Sequence, residues 1–448
     1  MLWDARNDVV ARRAGDPVND LRRAWMRAVE AAAEGDCDPR LIDRTGSGDV
    51  SFMVIGDPGE GDASQWATVP PLQATWDGTD FAVIMSDVIY PAGNANEYEA
   101  KFYRPYRDYP SPIYAIPGNH DWYDELRGFM YHLCGLEEMA PPDFTYASDQ
   151  PAWKRTVHRL FWRRPDPPTP AQAAVRASWR PVPSQRSAQR SPYWAIDTDP
   201  VRIVGIDTGI LGGLDRDQGE WLREVSRDPS RAKILLTGKP LCVDGEYHPG
   251  SIEGGGTVDE IVRDPDAGYI AAIGGDIHNY QRYPTKLEDG RTLQYLVAGG
   301  SGAFMHPTHG IPSVRLPGID EDGFVCYPRR GDSLALFSRL YDRKLAFGRG
   351  HFEISPDEAA TYLGERLGIE PRRRSRDEVA VSDRARRAAE RILPLPGRAR
   401  GPLHPLFALW FDINEPPMFK SFLRIDAGAE RGADGRWGWH EARRPEPA

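Results

Sequence analysis

The residues able to do chemistry sit in five short stretches, each directly after an apolar run. In chain order they are Gly56-Asp57-Pro58-Gly59, Ser86-Asp87-Val88-Ile89-Tyr90, Gly118-Asn119-His120-Asp121, Thr237-Gly238-Lys239-Pro240 and Gly275-Asp276-Ile277-His278. Carboxylate, phenol, amide and imidazole together suit divalent or trivalent transition metals. Asp87 is the hub of the set: its two oxygens can bridge two cations, and Tyr90 adds a phenol three residues on. Each stretch alone has an ordinary explanation. Asp and Gly dominate turns for local reasons, and Tyr90 can simply pack beside Pro91 as buried aromatics do. The recurrence after one apolar run after another is the signal.

Those runs must position the motifs. Residues 50–55, 81–85, 113–116, 233–236, 269–273 and 293–297 are too short for helices and suit buried strands. The motifs therefore fall beyond strand carboxyl ends, where open α/β sheets gather their ligands. Helices are predicted at 18–34 with Asp20 as cap, at 96–107 with Tyr98, Phe102, Tyr103 and Tyr106 on one face, at 123–134, and at 215–225. Residues 193–197 and 201–207 form a pair of strands around Asp199-Pro200. Alternating strand, loop and helix predict a layered α/β core.

Residues 140–192 interrupt that pattern with prolines and a basic run that interleaves Trp153, Phe161, Trp162 and Trp179. Two readings stand: a solvated arginine-rich loop, or an anion-facing lid or contact for acidic lipid headgroups. A second basic cluster lies within 372–400, and 403–425 is apolar and aromatic, with a strand predicted at 419–425.

Composition narrows the class. The 448 residues are 40% hydrophobic, enough for a sizeable core. With 56 basic against 66 acidic residues the net charge is −10, so no global basic field points to nucleic acid. Cys37, Cys134, Cys242 and Cys326 lack the C-x-x-C spacing of a thiol metal site. The first residues contain no apolar signal core, and no run reaches the ~18 apolar residues of a spanning helix. The expectation is a cytoplasmic protein.

The order Gly56-Asp57, Asp87, Gly118-Asn119-His120-Asp121, Gly275-Asp276-Ile277-His278 resembles the calcineurin-like metallophosphoesterases, over roughly residues 50–310. Asp57-Pro58-Gly59 and Asp87-Val88-Ile89-Tyr90 are similar to the purple acid phosphatase branch in particular. The resemblance implies a four-layer αββα metallophosphoesterase sandwich. An amino-terminal helical extension (1–49) and a carboxyl-terminal extension (311–448) packed on the core would flank a 50–310 domain carrying the 140–192 insertion.

It also implies a first metal held by Asp57, Asp87, Tyr90 and His278, and a second held by Asp87, Asn119 and two further groups. His120 would stand beside the substrate as a catalytic group. One or two ions of iron, manganese or zinc would activate a hydroxide against a phosphomonoester or diester of a small molecule or macromolecule. Two departures weaken the second position. Gly238 stands where the family carries a histidine, and Asp276 replaces the first histidine of Gly-His-x-His while remaining able to ligate through oxygen. Lys239 adds a positive charge there, which disfavours a second metal or replaces part of its charge on a phosphate. His248, His306 and His309 are candidate replacement ligands. The alternative is a degenerate relative that binds a phosphorylated ligand or partner without efficient turnover.

Overall fold

Strands that are apolar on both faces must be covered on both sides, and that requirement organises the molecule. The computed structural model describes residues 6–33, 35, 37–136, 151–163, 169, 175, 178–228, 231–392, 419–428 and 439. Its strands in chain order are β1 (Leu41–Asp43), β2 (Val50–Gly56), β3 (Phe81–Met85), β4 (Ile113–Ile116), β5 (Trp194–Asp197), β6 (Val201–Ile206), β7 (Ala232–Thr237), β8 (Cys242–Val243), β9 (Glu246–Tyr247), β10 (Tyr269–Gly274), β11 (Tyr280–Lys286), β12 (Thr292–Ala298), β13 (Arg315–Leu316), β14 (Ile319–Asp320), β15 (Val325–Tyr327) and β16 (Leu423–Ala427).

Two sheets carry the site. The larger runs β1-β5-β6-β7-β10-β12-β11-β15 and the smaller β16-β2-β3-β4. β2, β3 and β4 are parallel, as are β6, β7, β10 and β12. Their carboxyl ends therefore emerge together. Side-chain alternation splits each strand between two cores. Phe52, Val54, Val83 and Met85 join Ile203, Ile234, Leu236 and Ile273 between the sheets. Met53, Ile55, Ile84, Val204 and Leu235 point outward into a cluster with the helix residues Leu21, Trp25, Trp221 and Leu222. Helix, sheet, sheet, helix is the four-layer arrangement that the resemblance implies.

The helix Val18–Ala32 begins under Asp16, whose carboxylate accepts the Val18 N–H at 3.1 Å; Asp20 lies in the first turn and is not the cap. This helix is pinned by Arg22, fully buried between Asp207 and Asp215 at 2.8 Å each. Asp207 also accepts the Trp122 indole N–H at 2.9 Å, which ties the helix to the loop after β4. The helix Arg216–Ser226 starts at Asp215, which accepts the Gln218 N–H. The aromatic segment expected as one helix at 96–107 is two short turns, Ala95–Glu97 and a wider one at Glu99–Tyr103; Tyr98, Phe102, Tyr103 and Tyr106 are nonetheless buried together.

Segments on both sides of 50–310 reach the sheets. β1 pairs with β5, β15 with β11, and β16 with β2. The helices Arg330–Leu345, Pro356–Leu367 and Asp383–Ile392 build a separate apolar cluster that includes Met305. Residues 403–418 lie outside the described residues. Among the described residues no helix is long and apolar enough to cross a membrane.

Candidate metal centre

The site forms where backbone turns sharply at the strand ends. Asp57 follows β2, Ser86 and Asp87 follow β3, and Asp276 follows β10, all with left-handed φ: +51°, +73°, +40° and +65°. Non-glycine residues rarely take this conformation, and such strain clusters at functional sites. Asp57, Asp87 and His278 are buried and offer ligand atoms that all lie within 4.8 Å of one another.

Second interactions hold these groups in place. One Asp87 oxygen accepts the His120 N–H at 2.8 Å. Gly118 must lack a side chain, because a Cβ there would fall 2.1 Å from that same carboxylate. Asp121 accepts the N–H groups of Val88 and Gly118 at 3.0 Å and of Ile89 at 3.2 Å, so one carboxylate ties the loop after β3 to the loop after β4. Asp57 receives the Asp276 N–H on both oxygens, at 3.1 and 3.0 Å. His278 donates from Nδ1 to the Phe304 carbonyl at 2.7 Å, which turns Nε2 toward the site. The Tyr90 hydroxyl lies 2.9 Å from that Nε2 and 3.5 Å from Asp57.

The electrostatics favour a cation. Burial lifts the Asp57 carboxyl well above its usual range, and Asp87 and Asp276 lift it further. Burial also raises Asp87, against the opposing effect of His120. The Tyr90 phenol is pushed up by burial and by both carboxylates, while burial and His306 push the His278 imidazole well down. A cation reverses the first three costs at once, and it needs the neutral His278 that burial already favours.

The remaining candidates sit on the other side of Asp87. The Asn119 amide donates to the Tyr123 hydroxyl at 2.8 Å. The His120 ring lies tilted against Tyr90, with ring centres 4.4 Å apart, and donates from Nδ1 to the Pro91 carbonyl at 2.7 Å. Its Nε2 takes no part in that bond. The Asp276 carboxylate is bonded to the Lys239 ammonium at 2.6 Å. The three candidate replacement histidines have other surroundings. His306 stacks on His278 at 4.3 Å and accepts the His278 N–H, His309 bonds Ser333 at 2.9 Å, and His248 is exposed.

Several supports had no clear signal in the chain. Asp121 was visible only as the residue after Asn-His, and nothing local says which N–H groups it gathers. The carboxyl-terminal segment also buttresses the site: Ser301 donates to the Ser421 carbonyl at 2.8 Å, and Lys420 donates to Gly302 at 3.0 Å. In the insertion, Arg180 donates to the carbonyls of Tyr106 and Tyr109, and Arg163 to Asn94 at 2.9 Å. The insertion helix Ala152–Phe161 leans on the helix Arg6–Ala14, where Arg6 donates to the Phe161 carbonyl and His158 to the Gly15 carbonyl. Asn7 then reaches the Tyr123 carbonyl at 3.1 Å, so these two helices wall the Asn119 side of the site.

Layered sheets with acidic and imidazole groups at the parallel strand ends define an α/β fold with a candidate metal site. The calcineurin-like phosphoesterase model matches residues 50–280, just over half of the chain, and the chain belongs to that family. Among solved structures, the purple acid phosphatase PPD1 from yellow lupin (Lupinus luteus) seeds is 13% identical, over 58% of this chain and 45% of its own, with a TM-score of 0.35. GAP50, the anchor in the inner membrane complex of Plasmodium, is 11% identical over 62% of this chain and 78% of its own, with a TM-score of 0.34. PhoD is 10% identical over 57% of each chain, with a TM-score of 0.31. The chain thus spans less than half the length of the lupin protein. No curated protein matches the sequence.

Proposed function

We propose that this protein hydrolyses phosphoric esters at a metal centre built from Asp57, Asp87, Tyr90 and His278, with Asn119 beside it. The observation that supports it most strongly is the convergence of three buried ligand groups within 4.8 Å. A cation bound there would supply Lewis acidity to a phosphate oxygen and make a bound water far more acidic. Iron, manganese and zinc all suit this mixed oxygen and nitrogen set.

The protein's own groups do the rest. The His120 N–H holds the Asp87 carboxylate, and Asp121 fixes the two loops that carry these residues. The Phe304 carbonyl keeps the proton of His278 on Nδ1 and off the ligating nitrogen. His120, anchored through Nδ1, presents Nε2 to hand a proton to the leaving oxygen or steady the charge that develops there. A cytoplasmic setting belongs to the same reading and is supported by four cysteines that form no disulfide. Any contact with an anionic surface would use, among the described residues, the exposed Arg155, Arg159, Arg186 and Arg190 of the insertion, since Arg163 and Arg180 face inward.

The test is elemental analysis of the purified protein with a panel of phosphomonoesters and diesters. Bound metal and turnover are expected, with both lost in Asp87→Asn. A protein that stays metal-free after exposure to iron, manganese and zinc, and cleaves nothing in the panel, would sink the reading. A second reading, ligand binding without turnover, is favoured by one observation: Lys239 already neutralises Asp276. Metal uptake and phosphate binding with no cleavage of any ester would select it.

A further inference from the structure

Lys239 places a built-in cation beside Asp276, and its placement is specific. β7 and β10 are adjacent parallel strands in which Thr237 pairs with Gly274. Lys239 and Asp276 each lie two residues beyond that pair, so neighbouring strand ends carry the two charges side by side. The turn bearing Lys239 is fixed: Thr237 Oγ1 donates to the Lys239 carbonyl at 2.9 Å, and Gly274 packs so closely on Pro240 that a Cβ would fall 2.3 Å from its Cα.

Gly238 offers no room for a ligand. A Cβ there would stand 2.8 Å from Thr208 Oγ1 and 3.0 Å from the Pro117 carbonyl. Asp276 has divided its groups, giving its N–H to Asp57 and its carboxylate to Lys239 at 2.6 Å. Among the described residues the single group of three ligands is Asp57, Asp87 and His278, and Asp276 is outside it. A second metal ion does not fit this half of the site.

We propose that the Lys239 ammonium takes the place of a second metal ion: the protein binds one metal, and Lys239, aimed by Asp276, supplies the second positive charge to a bound phosphate. An ammonium has three donors, and Asp276 takes one of them. Both side chains remain partly exposed, 23% for Lys239 and 24% for Asp276, so an anion can reach the pair. The ammonium contributes charge and hydrogen bonds but no Lewis acidity. The assignment rests on the phosphoesterase reading above.

The experiment uses the full chain saturated with Mn²⁺, with elemental analysis for stoichiometry and calorimetry for inorganic phosphate. One manganese per chain is expected in the wild type and in Lys239→Met, with phosphate binding weakened roughly tenfold or more in the variant. Lys239→Arg, which keeps the charge, should recover most of that loss. Two manganese ions per wild-type chain, or unchanged phosphate affinity in Lys239→Met, would overturn the proposal. One manganese with Lys239-dependent phosphate binding and no ester cleavage would support it while overturning the hydrolase reading. Two manganese ions with cleavage would do the opposite.

Discussion

The two sides of Asp87 solve the same electrostatic problem in different ways. On one side Asp57, Tyr90 and His278 crowd into a buried space, no ion pair to Asp57 is formed among the described residues, and burial lifts the Asp57 carboxyl far above its usual value. On the other side burial also acts against the Asp276 carboxylate, yet Lys239, with His306 and His120, outweighs it and the pKa ends below the usual value. Two aspartates that meet across the two sheets are therefore shifted in opposite directions. The difference separates a place that is costly until a cation arrives from one that the fold has already neutralised.

Four substitutions break or sharpen this contrast. Asp87→Asn strikes the residue shared by both sides and should cost more than about a hundredfold in metal affinity, beyond what removing an outer partner costs. Retained metal with normal affinity would remove Asp87 from its place as hub. Asp121→Ala leaves three N–H groups without their acceptor and frees Asp87 to move. Metal affinity should fall by roughly 10–100-fold, read by competition with a chelator, while phosphate contact through Lys239 changes less.

Tyr90→Phe removes a single ligand from the cation-poor side. Ferric protein should show a visible phenolate-to-iron charge-transfer band that vanishes in the variant; a band that survives would leave Tyr90 as a packed aromatic. Asp57→Asn probes the electrostatic cost itself. Because burial raises the Asp57 pKa above 3.8, the folded state holds its proton more tightly than the unfolded state. Its contribution is intact below about pH 3.8 and is lost as pH rises through the folded value. Metal-free Asp57→Asn should therefore melt at the same temperature as wild type near pH 3.8 and several degrees higher at pH 7, with the order reversed in saturating Mn²⁺. An unchanged difference between pH 4 and 7 would show that the carboxylate carries no such cost.

Much of the scaffold was legible because its strands are buried on both faces. The run 81–85 is continuous in apolar residues, and β3 is Phe81–Met85. β11 was not legible: Tyr280–Lys286 shows no apolar alternation, buries the polar Gln281 and Thr285 beside Tyr283 and contains Pro284, and it becomes a strand only by pairing with β12 and β15. β16 was placed at 419–425 but occupies Leu423–Ala427, where its register is set by β2, more than 360 residues earlier. The pinning of Arg22 by Asp207 and Asp215 was hidden for the same reason.

The sequence by itself determined which groups stand at the strand ends. Residue type and position after an apolar run are local properties, and a parallel sheet delivers its carboxyl ends to one edge. How those groups are used was decided by tertiary structure. Asp276 has the same carboxylate whether it holds a metal or a lysine, and its sequence neighbours do not choose between them. The choice comes from the register of β7 on β10, which brings Lys239 to 2.6 Å from a residue 37 positions away. Strand spacing of about 4.8 Å puts such groups within reach of each other once the strands are neighbours.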